Sequence, residues 1–157
     1  MDFQTSVRTC LTEKFATFSG RATRSEYWWF VLAVVIGALV VGFVDTVLRT
    51  GVLSTLYMLA VLVPGTAAGF RRLQDTGRPG WYILIPVGLG VLQNLLALTT
   101  MPQMGPGGRM TGMPGAGSMG LLAILSLVQL VLAVLFIYWL TRPSQPESNA
   151  YGPPPQA

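Results

Sequence analysis

Four long apolar stretches, at about 27–48, 52–70, 81–98 and 120–140, constrain this chain more than any other feature. A helix crossing the hydrocarbon of a bilayer needs about 20 residues, within a range of about 17 to 25, and each stretch qualifies. Backbone N–H and C=O groups find no water there, so each segment must satisfy its own hydrogen bonds as a helix. Membrane barrel strands would alternate polar and apolar residues, and these segments do not. Of 157 residues, 52% are hydrophobic and 10% are charged, whereas soluble domains carry about a quarter as Asp, Glu, Lys or Arg. A disordered chain would be poor in the aliphatic residues that dominate here. The expected fold is all-α: an integral membrane four-helix bundle preceded by an N-terminal interfacial amphipathic helix.

The residue inventory removes most catalytic classes. Cys10 is the one cysteine and there is no histidine, so a disulfide framework, a Ser-His-Asp triad and a Cys-His pair all lack parts. The spacing of Glu26, Asp45, Asp75 and Glu147 offers no close acid/base pair. A non-enzyme without a cofactor is expected. The net charge of +4 points to arginines at a lipid surface rather than to nucleic acid.

Orientation follows from the placement of those charges. Arg8, Lys14, Arg21 and Arg24 precede the first stretch, Arg71, Arg72 and Arg78 lie between the second and third, and Arg142 follows the fourth. With four spans these eight of the ten basic residues share one side, and Arg49 and Arg109 take the other. The positive side faces the cytoplasm, so both termini are expected there, in a bacterial inner membrane. Tyr27, Trp28, Trp29, Trp81, Tyr82, Tyr138 and Trp139 fall at the same ends of the spans, where amphipathic rings favour the headgroup level. Residues 1–26 form the expected cytoplasmic segment. They carry charges throughout and lack the apolar core of a signal peptide. Phe3, Val7, Leu11, Phe15 and Phe18 recur at helical spacing, which predicts an amphipathic helix lying in the interface or packed on the bundle.

Two motifs hold seven of the sixteen charged residues. In Gly20-Arg21-Ala22-Thr23-Arg24-Ser25-Glu26-Tyr27-Trp28-Trp29, Thr23 and Glu26 are spaced as a capping box, with Glu26 reaching back to free backbone N–H groups. In Arg71-Arg72-Leu73-Gln74-Asp75-Thr76-Gly77-Arg78-Pro79-Gly80-Trp81-Tyr82, cations close a helix and Asp75, Gly77, Pro79 and Gly80 supply turn chemistry. Arg21, Arg24, Arg71, Arg72 and Arg78, beside Glu26 and Asp75, make the candidate site for anionic headgroups or a partner.

The strings FSGRATRSEYWWF and RRLQDTGRPGWY resemble the paired signatures of the bacterial domain of unknown function 805 family, small multi-pass inner-membrane proteins. The segment Asn149-Ala150-Tyr151-Gly152-Pro153 is similar to that family's closing N-x-Y-G-P pattern. Gln74 stands where the family usually has His, Pro79 where it has Ser, and Tyr82 where a second Trp is frequent. The resemblance implies a membrane fold and location, and carries no activity with it.

Between the third and fourth spans, residues 99–119 read as a disordered extracytoplasmic Gly/Met/Pro-rich loop. It holds two M-x-x-M pairs, Met101 with Met104 and Met110 with Met113, whose thioethers are weak candidates for Cu(I). Residues 141–157 read as a disordered cytoplasmic tail. Gly65 and Gly69 form a small-residue face suited to packing within the chain or, alternatively, to a homo-oligomer. Asp45 and Arg49 are spaced to pair. The leading expectation is an inner-membrane protein whose basic and aromatic cytoplasmic interface binds anionic lipid. The alternatives are a Cu(I)-binding loop or a small transporter or channel subunit lined by Gln93, Asn94, Ser126 and Gln129.

Overall fold

Thr23 starts the first long helix by accepting a hydrogen bond from the backbone N–H of Glu26 at 3.0 Å, one of the donors that the helix geometry leaves without a partner. In the computed structural model, which describes residues 1–100, 103–104, 110–111 and 116–155, the elements are α1 (Phe3–Arg8), a π-helical turn (Thr9–Glu13), α2 (Arg24–Leu48), α3 (Val52–Asp75), a 3-10 turn (Gly80–Ile83), α4 (Leu84–Thr100) and α5 (Ala116–Thr141). A two-residue antiparallel ladder pairs β1 (Gln103–Met104) with β2 (Met110–Thr111) inside the segment read as a disordered loop. Among the described residues four helical stretches are long and apolar enough to span a membrane: Arg24–Leu48, Val52–Asp75, Gly80–Ala97 and Gly117–Thr141. The chain divides into two compact units, residues 1–83 with 139–157, and residues 84–138.

In the first unit α2 and α3 form a hairpin through Arg49-Thr50-Gly51, with Arg49 and Gly51 both left-handed at φ 55° and 67°. Gly51 is the N-cap of α3 and offers no side chain to it. Asp45, one turn before the end of α2, supplies the missing acceptor: its carboxylate takes the N–H of Ser54 at 2.8 Å and of Leu53 at 3.4 Å, and the Thr50 hydroxyl at 2.5 Å. The expected Asp45–Arg49 pair is therefore replaced. Arg49 has turned out of the helix, and the carboxylate does better at the positive end of α3. Higher up, the Tyr57 hydroxyl donates to the carbonyl of Val34 at 2.7 Å, and Gly37 leaves room for that ring, since a Cβ there would collide with it. Gly69 packs within the chain, where an added Cβ would sit 2.9 Å from Ile83 Cγ1, while Gly65 has nothing within 4 Å.

The burial pattern is inverted relative to a water-soluble protein. Leu39, Phe43 and Val47, one turn apart along α2, are 69%, 72% and 66% exposed. The buried set includes Arg71, Arg72, Glu26 and Asp75. Apolar side chains facing hydrocarbon and ionic groups facing protein are what a bilayer demands.

The N-terminal segment follows the same rule at shorter length. Asp2 caps α1 through the N–H of Thr5 at 2.8 Å, and that bond holds the Asp2 carboxyl below its ordinary value. Ser6, Thr9 and Cys10 turn inward while Phe3, Leu11, Phe15 and Phe18 stay exposed. The helix does not run on to Phe18. The Thr12 hydroxyl takes the carbonyl of Arg8 at 2.7 Å and Lys14 N bonds Thr9 O at 2.8 Å, so side-chain competition widens the coil into a π turn that ends at Glu13.

In the second unit, Gln129 Nε2 on α5 donates to the carbonyl of Pro86 at 3.3 Å, and Asn94 bonds the Gly90 carbonyl of its own helix at 2.8 Å. These two polar side chains of the alternative transport path thus bond to helix backbone.

Asp45→Ala should lower the unfolding midpoint of the purified protein in detergent, since it strips the cap from α3. Arg49→Gly should be more stable by about 0.5–1 kcal/mol, because glycine occupies the left-handed region without a Cβ penalty. A midpoint that falls in Arg49→Gly as far as it does in Asp45→Ala would restore the pair expected from spacing.

Candidate functional site

Consecutive residues on a helix point about 100° apart, and Arg71 and Arg72 accordingly reach different partners at the last turns of α3. Arg71 Nη1 meets Glu26 Oε1 of α2 at 2.6 Å, and its Nη2 lies 3.8 Å from Cys10 Sγ. Lys14 Nζ completes this group at 3.6 Å from Glu26 Oε2. Glu26 is spent on this ion pair and does not reach back to cap α2, so only the Thr23 half of the expected capping box forms.

Asp75 organises the second group. Its Oδ1 accepts from Arg21 Nε at 2.9 Å, and its Oδ2 takes both Arg72 Nη1 and the Ser144 hydroxyl. The Arg21 side chain is 1% exposed and those of Arg72 and Asp75 are 0%. Leaving one such charge without its partner inside a protein costs about 3–5 kcal/mol, so these contacts hold their elements together. Backbone bonds reinforce the cluster, with Ala22 N on Arg71 O at 3.3 Å and Gln145 N on Asp75 O at 3.1 Å.

The outer donors of Arg21 and Arg72 go mostly to the end of α5 and to the segment read as a disordered tail, and the structure corrects that reading. Arg21 Nη1 bonds the carbonyl of Glu147 at 2.9 Å and Nη2 that of Gln145 at 2.5 Å. Arg72 Nε bonds the Leu140 carbonyl at 2.9 Å, and its Nη2 bonds that of Arg142. Asn149 Nδ2 reaches the Gln74 carbonyl at 3.0 Å while its Oδ1 accepts from Tyr151 N at 2.9 Å, and Asn149 and Gly152 exchange backbone bonds at 3.1 Å. Gly152, at φ 127°, occupies a region closed to other residues. The N-x-Y-G-P string is thus a turn docked on α3. Three motifs far apart in the chain meet here, and the ordering of the tail was legible only in the resemblance of that string to a family pattern.

Of the residues expected to meet headgroups, Arg21, Arg71 and Arg72 are buried on protein partners, as are Glu26 and Asp75. Arg24 is exposed. Arg78 lies over the Trp139 ring at 5.0 Å, a cation–π contact that leaves its in-plane N–H groups available. The aromatics stack in edge-on pairs, Tyr27 with Trp28 at 5.4 Å and Trp81 with Tyr82 at 4.6 Å, and Phe3 meets Trp29 at 6.0 Å. Trp29, Trp81 and Tyr138 remain well exposed. An open groove of about 340 Å³ is lined by Ser25, Trp28, Trp29 and Leu32. Met101 and Met113 lie outside the described residues, and Met104 and Met110 are paired by register across the short ladder. Among the described residues no cluster of three or more Cys, Asp or Glu could hold a metal ion.

The family described as "Protein of unknown function (DUF805)" matches residues 15–153. "Inner membrane protein YhaH" of Escherichia coli (strain K12) is 39% identical over 79 residues, covering 46% of this chain and 65% of the relative. "Inner membrane protein YhaI" of the same organism is 39% identical over 75 residues, covering 46% and 64%. The chain therefore spans about 65% of the length of the curated relatives it matches. No solved structure matches.

Asp75→Asn should destabilise the protein by about 3–5 kcal/mol, because it leaves two buried guanidinium groups without a counter-charge. Chemical unfolding in detergent measures it, and a loss under about 1 kcal/mol would place the cluster in solvent. Burial also pushes the Cys10 thiol above its ordinary value, against the opposing pull of Arg71. Maleimide labelling of the folded chain should therefore be slow at neutral pH and become fast on denaturation in SDS.

Proposed function

The chain belongs to the DUF805 family of proteins of unknown function, and we propose that it is a non-enzymatic inner-membrane protein that binds anionic phospholipid at its cytoplasmic interface. The observation that carries this reading is the groove formed by Ser25, Trp28, Trp29 and Leu32, placed directly after the exposed Arg24. An apolar aromatic-walled groove accepts an acyl chain, and an exposed guanidinium on the residue preceding Ser25 can match a phosphate in bidentate fashion. Arg78, seated on Trp139, adds a second cation held at headgroup level by its ring. The exposed Phe3, Leu11, Phe15 and Phe18 give the N-terminal segment an apolar underside for the acyl boundary.

The excess of Lys and Arg at this end supports its placement on the cytoplasmic side, the leaflet face that attracts basic residues most strongly. Arg71 and Arg72 enter the reading only as structural members, because their donors are taken up by Glu26, Asp75 and the tail.

Basic residues near an anionic surface contribute about 1 kcal/mol each. The double variant Arg24→Gln/Arg78→Gln should accordingly lose about tenfold or more of its preference for phosphatidylglycerol over phosphatidylcholine in reconstituted vesicles. Lipid retained by the protein, measured by native mass spectrometry, gives the readout. A double variant that keeps its full preference for phosphatidylglycerol would rule the reading out.

A further inference from the structure

Arg21 and Arg72 point their outer donors at the same strip of chain, residues 140–147, where they meet four neutral backbone carbonyls and, at 3.4 Å, the neutral hydroxyl of Ser144. Between them the two guanidinium groups share one carboxylate, that of Asp75. One positive charge in the cluster is thus matched only by peptide dipoles. Guanidinium groups bind a charged oxyanion more strongly than a neutral carbonyl, and their forked geometry fits phosphate.

Past Leu140, which is buried near the end of α5, the strip that covers them is held mainly through its polar atoms. Pro143, Gln145, Pro146, Glu147 and Ser148 are exposed, so lifting this stretch gives up hydrogen bonds and little apolar burial. A segment with few apolar contacts and many solvent-facing backbone groups opens at low local free energy. The cluster also lies where α2 begins and α3 ends, the depth at which a span meets the headgroup phosphates.

We propose that Arg21 and Arg72 form a phosphate-binding site covered by the C-terminal segment, which acts as a displaceable strap. The ligand chemistry is a phosphate oxyanion, which takes over the guanidinium donors when the carbonyls of Gln145 and Glu147 withdraw. The site is separate from Arg24 and Arg78, which stay native throughout its test, so it stands or falls apart from the groove.

The experiment is amide hydrogen exchange of the full chain in phosphatidylcholine nanodiscs, read at residues 141–152 with α2 and α3 as the folding control. One arm adds inorganic phosphate against chloride of equal ionic strength, and the other incorporates phosphatidylglycerol. Strap exchange should quicken about tenfold in the first arm if soluble phosphate is the ligand and in the second if it is a headgroup. Asn149→Ala, which removes a strap contact and no arginine, should open at lower anion concentration. Arg21→Gln in that background should abolish the response, and Arg21→Lys should restore part of it. Exchange indifferent to both anion sources in the native chain and in Asn149→Ala overturns the proposal, as does a response that survives Arg21→Gln.

Discussion

A single carboxylate, Asp75, holds the charged end of the first unit together. It receives Arg21 from the connector before α2, Arg72 from its own helix, and Ser144 from the C-terminal segment. No apolar contact could do this at the edge of a bilayer. Association of apolar side chains gains little where the surrounding lipid is equally apolar, so polar bonds and close packing of small residues must join the elements. The ion pairs hold because both partners are withdrawn from solvent and nearly every donor is used.

The same constraint explains the rest of the unit. Where α2 and α3 cross, contact is made by Gly37 beneath Tyr57, and Gly69 of α3 admits Ile83 of the 3-10 turn. Where they join, Asp45 substitutes for the side chain that the Gly51 N-cap lacks. The core is small, with Cys10, Phe30 and Ala68 at its centre, and the larger aliphatic groups point outward to the acyl chains. Among the described residues the buried charged groups are all committed to named partners. Of the arginines in the two charged motifs, the exposed Arg24 and the ring-bound Arg78 are the cations to examine for contacts outside the chain.

The fold class was legible because it depends on one-dimensional properties. Segment length, hydropathy and the absence of alternation specify helices whatever they touch. The helix start at Thr23 and the inward use of Gly69 were readable for similar reasons, since both rest on local geometry. What eluded linear reading involved choice among partners. Glu26 had a local capping role available and went instead to Arg71, 45 positions away. Asp45 had Arg49 one turn on and went to α3. The tail looked disordered because its composition supplies no apolar surface to bury, yet it docks through carbonyls, which every sequence possesses and composition does not record.

From the sequence by itself, then, come the helical class, the membrane location and the clustering of basic residues with aromatics near the span ends. Those features follow from the solvent, since hydrocarbon excludes unpaired backbone and charge wherever they occur. Only the tertiary structure decided which of those arginines face outward. Arg21, Arg71 and Arg72 look equivalent to Arg24 in the sequence. Folding brings Glu26, Asp75 and the carbonyls of residues 140–147 within hydrogen-bond distance of the first three, and a guanidinium withdrawn from water takes the nearest acceptors that compensate its charge.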